Sequence, residues 1–166
     1  MSSFGTREIA ASAVMAALVC VTTLLITFPI PATEGFFNIG DAMIMAAALT
    51  FGPVVGAFAG MGAALADLIG GWYIYVIPTL IIKGTEGFLA GWILHRGYEQ
   101  SFSRVLLAWI VGGLEMVAGY FIAQAFFLGY GIGGALVELP FNLVQMAVGG
   151  GIGIPIALAL RTRIRV

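Results

Sequence analysis

Apolar residues run through this chain in long stretches, and the few polar residues between them mark where each stretch breaks. The first stretch predicts a helix over 8–28, ended by Pro29 and Pro31, which cannot continue a helix. The apolar run that carries it, from Ile9 to Ile30, is about 22 residues long. That is enough to span a bilayer and exceeds the apolar core of a signal peptide, so we read it as a retained helix. Ser12, Ala13, Ala16, Ala17 and Cys20 place small side chains along it, a pattern that lets a second helix approach closely in lipid. Packing within the chain and docking of a partner are both open for that stripe.

The segment PIPATEGFFNIG then reads as a loop, rich in proline and glycine. A helix over 41–51 follows, so short that it covers only ~16 Å of a ~30 Å hydrocarbon core. Gly52-Pro53 breaks it and begins a third helix over 53–69, where Gly52, Gly56, Gly60 and Ala64 recur every four residues, a close-packing pattern. Short, interrupted spans are typical of helices that line a binding cavity. Trp72, Tyr73 and Tyr75 fit an interfacial aromatic belt. Helices over 76–95, 105–127 and 136–160 complete the series, separated by the polar segment HRGYEQSFSR and a glycine-rich loop.

Composition turns this pattern into a class. Of 166 residues, 61% are hydrophobic and only 9% charged, with a mean hydropathy of +1.07, whereas globular domains carry about 25% charged residues. The expectation is an all-α integral membrane protein with six transmembrane helices in one domain. The net charge of −1 points to no nucleic-acid partner, and the single Cys20 offers neither a disulfide framework nor metal-ligand spacing. Six spans put both termini on one side. Arg7, Arg96, Arg104, Arg161, Arg163 and Arg165 all fall there, so the positive-inside rule predicts cytoplasmic termini in a cell membrane. Glu34, Asp41, Asp67 and Glu138 then lie at or near the outer face.

The chemistry on offer is that of binding. Lys83-Gly84-Thr85 lacks the upstream glycines of a phosphate loop. The lone His95 reads as an interfacial residue at a helix end, and no serine, cysteine or threonine has a base beside it, so no enzyme and no metal site is expected. Active transport would need ATP hydrolysis by another chain. Ionised groups inside spans are costly unless they meet one another or a ligand. Thr79, Lys83, Glu86, Gly87 and Ala90 share a face of the fourth helix, and Glu138, Asn142 and Gln145 form a polar stripe on the sixth. Glu115 shares a face with Gly112 and Gly119, with Gln124 roughly opposite. Asp41 opens the second helix and Asp67 lies near the end of the third. Each has a structural alternative: Asp41 with its helix dipole, Lys83 with Glu86 or Asp67, Glu115 as a helix-joining carboxyl, Phe36-Phe37 as a loop anchor. Polar groups at similar depth under a loop favour a small-molecule pocket.

The runs NIGDAMIMAAALTFGPVVGAFAGMGAALADLIGG and YVIPTLIIKGTEGFLAGWI resemble the substrate-binding S component of energy-coupling factor (ECF) vitamin transporters, most closely the riboflavin-type branch. The resemblance implies a subunit that captures a vitamin from outside and docks on a transmembrane coupling protein carrying two ATPase subunits. It implies coupling contacts at Ala13 and Ala17 and a loop over 29–40 that closes on the ligand. It implies ligand contacts from that loop and helices 4 to 6, with Lys83, Glu86, Glu115, Glu138, Asn142 and Gln145 as candidates; Asp67, Asn38, Asp41 and Phe37 join them as candidate binding residues. Riboflavin is the first expectation, a thiamine precursor or pyridoxine the next, with no cofactor. The competing readings are a stand-alone proton-coupled transporter or channel using Glu86 and Glu115, and a non-transporting scaffold of the bilayer.

Overall fold

The computed structural model describes residues 5–30, 33, 35–97 and 101–163; Pro31, Glu34, Arg165 and the middle of HRGYEQSFSR lie outside them. Six α-helices carry the fold: α1 (Thr6–Leu25), α2 (Gly40–Phe51), α3 (Pro53–Gly70), α4 (Val76–His95), α5 (Phe102–Ile122) and α6 (Gly131–Arg163). Five of the spans they form are long and apolar enough to cross a membrane, and α2 is the short one.

The expectation of a plain loop after the first helix is corrected. α1 stops at Leu25, and a two-stranded antiparallel hairpin follows, β1 (Thr27–Ile30) against β2 (Gly35–Asn38). Pro29 is tolerated because a two-stranded sheet leaves one edge of each strand free of ladder bonds. The register pairs Phe28 with Phe37 and Pro29 with Phe36. Adjacent strand residues face opposite ways, so Phe37 meets Phe28 at 6.0 Å between centroids while Phe36 stacks on Trp72 at 4.0 Å. At the other end of the chain, α5 runs into a π-helical turn, Ala123–Phe127, and α6 begins at Gly131, earlier than its sequence predicted, with Pro140 and Pro155 inside it.

α2 is apolar all round, and a helix of that kind belongs inside a bundle. Ile44, Ala46, Ala47, Ala48 and Leu49 are all 0% exposed, enclosed by α1, α3, α4 and α6. α3 and α4 make the closest seam. A methyl added at Gly56 would strike the carbonyl of Gly87, one at Gly87 that of Gly56, and one at Gly60 that of Lys83. The four-residue glycine repeat thus brings backbone against backbone. Gly52 ends α2 with φ 97°, a left-handed conformation open to glycine, and lets the chain reverse into α3. On α1, Ser12, Met15, Val19 and Thr23 turn inward, whereas Ala13 and Ala17 stay exposed.

Candidate functional site

The hairpin, the start of α2, the end of α3, the starts of α4 and α6 and the end of α5 meet at one end of the bundle. There they hold nearly all the intramembrane polar groups, arranged as a floor and a cover.

The floor is an ion-pair centre. Lys83, 1% exposed, donates to the Oδ1 of Asp41 and lies 3.3 Å from Oε2 of Glu86, one turn along α4. Its ammonium also stands 5.5 Å from the ring centroid of Tyr120. Asp41 accepts a second bond on Oδ2 from Gln145 Nε2 at 3.1 Å. Gln145 Oε1 in turn accepts from the backbone N–H of Asn38 at 3.0 Å. The Asn38 Oδ1 accepts from the Gly40 N–H at 2.8 Å, satisfying one of the free donors where α2 begins. The chain Lys83–Asp41–Gln145–Asn38 therefore ties α4, α2, α6 and the hairpin together. Asp41 is a partner of Lys83 first and a dipole partner of α2 second; Asp67, the other acid considered, is not its ion-pair partner.

The cover is held by hydrogen bonds to Glu138 of α6. Glu138 accepts from the Thr33 hydroxyl at the hairpin's tip and, on Oε2, from Gln124 Nε2 at 2.6 Å. Tyr75 OH donates to the Thr33 carbonyl at 2.9 Å. Tyr75 was expected in an aromatic belt; it is 4% exposed, turned inward by that bond, while Tyr73 is 69% exposed. Gly35 of β2 lies against the Glu138 carboxylate, which a side chain there would have to displace.

Between floor and cover lies a cavity lined by Phe36, Asp67, Tyr75, Thr79, Tyr120 and Asn142 together with Lys83, Glu138, Gln145 and Asn38, with about 20 Å³ open to water-sized molecules. Room of that order holds about one water. Three of its buried lining groups have an atom without a hydrogen-bond partner: Thr23 Oγ1, a hydroxyl, Asp67 Oδ2, an acceptor, and Asn142 Nδ2, a donor.

The structure thus gathers Lys83, Glu86, Asp41, Asn38, Gln145, Glu138, Asn142 and Asp67 in and beneath one cavity. It places two others elsewhere. Phe37 lies on the hairpin's far face beside Phe141 and Val144, and Phe36 takes the inward position. Glu115 lies in a separate groove between α4 and α5, lined by Ile77, Pro78, Ile81, Ile122 and Phe127, of about 450 Å³. Thr33, Tyr120 and Gln124 were missed as site residues. Met116, Tyr120 and Gln124 recur at four-residue spacing, which marks the shared face that turns inward. His95 lies at the end of α4 remote from the cavity, its Nε2 3.3 Å from the Leu49 carbonyl.

Comparison with known proteins bears on the family and the fold. A family model described as the ECF-type riboflavin transporter, S component, matches residues 3–162. An uncharacterised protein of Pyrococcus woesei is 47% identical over 142 residues, 81% of this chain and 91% of that one. A Lactococcus lactis protein named thiamine precursor transporter HmpT is 34% identical over 154 residues, 90% of this chain and 84% of that one. The solved structure of the S component of a bacterial ECF transporter superposes with a TM-score of 0.74 at 17% identity, covering 94% of this chain and 96% of that one. The fold is shared with it.

Proposed function

The chain belongs to the family of ECF-type riboflavin transporter S components, and from that premise we propose that it captures a water-soluble vitamin or vitamin precursor for an ATP-driven importer. An S component is a multi-pass membrane transport subunit and not an enzyme. The observation that carries the proposal is the polar cavity enclosed between the Lys83 centre and the hairpin, at one end of an otherwise apolar bundle. Its ligand enters at that end, which faces outward when Arg7, Arg96, Arg104, Arg161 and Arg163 at the other end face the cytoplasm of the cell that bounds it. The family description favours riboflavin; the name of the Lactococcus relative favours a thiamine precursor. Glu86 and Glu115 face different spaces, the floor and the α4–α5 groove, and lend no support to a proton relay between them.

Energy comes from two ATPase subunits acting through a transmembrane coupling protein. The exposed Ala13 and Ala17 on α1 supply a flat surface on which a partner helix approaches closely. The test is uptake of labelled vitamins into vesicles holding this chain with and without a coupling complex. Uptake is expected only with the complex, and Ala13→Trp or Ala17→Trp is expected to abolish it while sparing vitamin binding by the isolated subunit. Uptake by the chain alone would refute the ATP-driven reading, and normal transport by both variants would remove α1 from the coupling surface.

A further inference from the structure

The charges in the cavity are lopsided. Lys83 is its one basic lining residue among the described residues, against Asp67 and Glu138 in the lining and Asp41 and Glu86 on Lys83 itself. The ammonium is already engaged by two carboxylates and stands over the Tyr120 ring, so it has little charge left to offer an anion. A phosphate ester or carboxylate would enter a site with four acidic groups and no free cation, and recognition of such groups relies on unengaged Arg or Lys donors.

Two further observations point to the ligand's own groups. Asp67 is 2% exposed and lies in the last turn of α3, where the helix dipole disfavours a negative charge. Its Oδ2 nevertheless has no hydrogen-bond partner, and an unmet buried acceptor is costly. Asn142, 7% exposed on α6, has an unmet donor, Nδ2. Both residues line the same cavity, beside the rings of Phe36, Tyr75 and Tyr120. A carboxylate oxygen needs an N–H or O–H from the ligand, and an amide NH₂ needs a ring nitrogen or carbonyl. The cavity opens to about 20 Å³, far below the ~300–1,000 Å³ of sites for drug-sized ligands. A ligand of one ring therefore displaces the cover least.

Resting on the S-component reading, we propose that Asp67 and Asn142 are the specificity-determining pair of the cavity, selecting an uncharged or cationic single-ring nitrogen heterocycle that bears an amino group, and rejecting phosphorylated and carboxylated vitamers. The ring's amino group donates to Asp67 Oδ2, its ring nitrogen accepts from Asn142 Nδ2, and Lys83 holds the floor without touching the ligand's charge.

The experiment is calorimetric titration of the purified chain in detergent with four probes: a hydroxymethyl aminopyrimidine, its oxo counterpart with carbonyl in place of amino, its phosphate monoester, and riboflavin. The aminopyrimidine is expected to bind most tightly, with the oxo compound ~10- to 150-fold weaker, the effect of one lost charge-assisted hydrogen bond, and the phosphate ester weaker because its charge meets four acidic groups and no free cation. Asp67→Asn presents an amide to the ligand in place of a carboxylate, so the amino-to-oxo preference is expected to fall or reverse, whereas a merely structural Asp67 would weaken both alike. Asn142→Leu gives a second reading and should weaken every ring that offers a nitrogen acceptor. Tighter binding of riboflavin or of the phosphate ester, or an unchanged amino-to-oxo ratio in Asp67→Asn, would overturn the inference and leave the S-component reading standing. Binding of none of the four overturns the inference too; the functional reading is decided separately, by vesicle uptake with and without the coupling complex.

Discussion

The two halves of the cavity are built on different principles. The seam of α3 and α4 and the floor below the cavity rest on contacts with no slack: glycine against backbone, and a lysine fixed by two carboxylates. The cover is a two-stranded hairpin, marginal on its own, fastened by the Thr33 and Tyr75 bonds to Glu138 and to the hairpin backbone. The first half resists change through steric exclusion and buried charge, the second through a few hydrogen bonds worth ~1 kcal/mol each. Of the two, the second is the half that can shift without breaking the bundle.

That difference can be broken most forcefully at the floor. Asp41→Ala leaves the Lys83 ammonium buried with one carboxylate fewer and deprives Gln145 of its acceptor. A loss of ~3–5 kcal/mol is expected, measured by denaturant unfolding in detergent, with Asp41→Asn combined with Lys83→Met recovering most of it. Unfolding of Asp41→Ala at the wild-type midpoint would mean the pair contributes nothing to the floor. Next comes the seam. Gly60→Val drives side-chain carbons into the Lys83 carbonyl and is expected to cost ~1–3 kcal/mol or more and to broaden the size-exclusion peak. Gly133→Ala, where the added methyl meets nothing within 4 Å, should stay within about 0.5 kcal/mol of wild type. Equal stability of the two variants would deny the seam its special status. The smallest effect belongs to the cover. Thr33→Val removes one bond to Glu138 and should speed hydrogen exchange in β1 and β2 about fivefold while leaving α2 and α3 protected. Unchanged exchange in the hairpin would show that its own ladder holds it closed.

The same division governs what can be read from sequence. The seam and the polar stripe of α6 were legible because helical periodicity is local: Gly52, Gly56 and Gly60 mark a close face, and Glu138, Asn142 and Gln145 mark a polar stripe, without knowledge of what lies opposite; the floor was legible only in part, because the pairing of Lys83 with Asp41 joins two helices. The cover was not. Pro29 and Pro31 suggest an irregular loop, and only pairing with residues 35–38 makes a strand of 27–30. Gln124 was legible as lying opposite Glu115, and it does, but its partner across the bundle, Glu138, was not. Glu115 looked like a site residue by charge alone, yet whether an acid faces a cavity or a groove depends on the rotation of α5 against α4, which no local pattern fixes.

The length of α2 has a consequence for the journey of a solute. At 12 residues it rises ~18 Å, against a hydrocarbon slab of ~30 Å. Beyond the start of α2 lie the hairpin and the polar cavity rather than further apolar helix. On the binding proposed here, a molecule seated beside Asp67 and Asn142 would already stand part of the way through the dielectric barrier, with α2 as the plug over the distance still to be crossed.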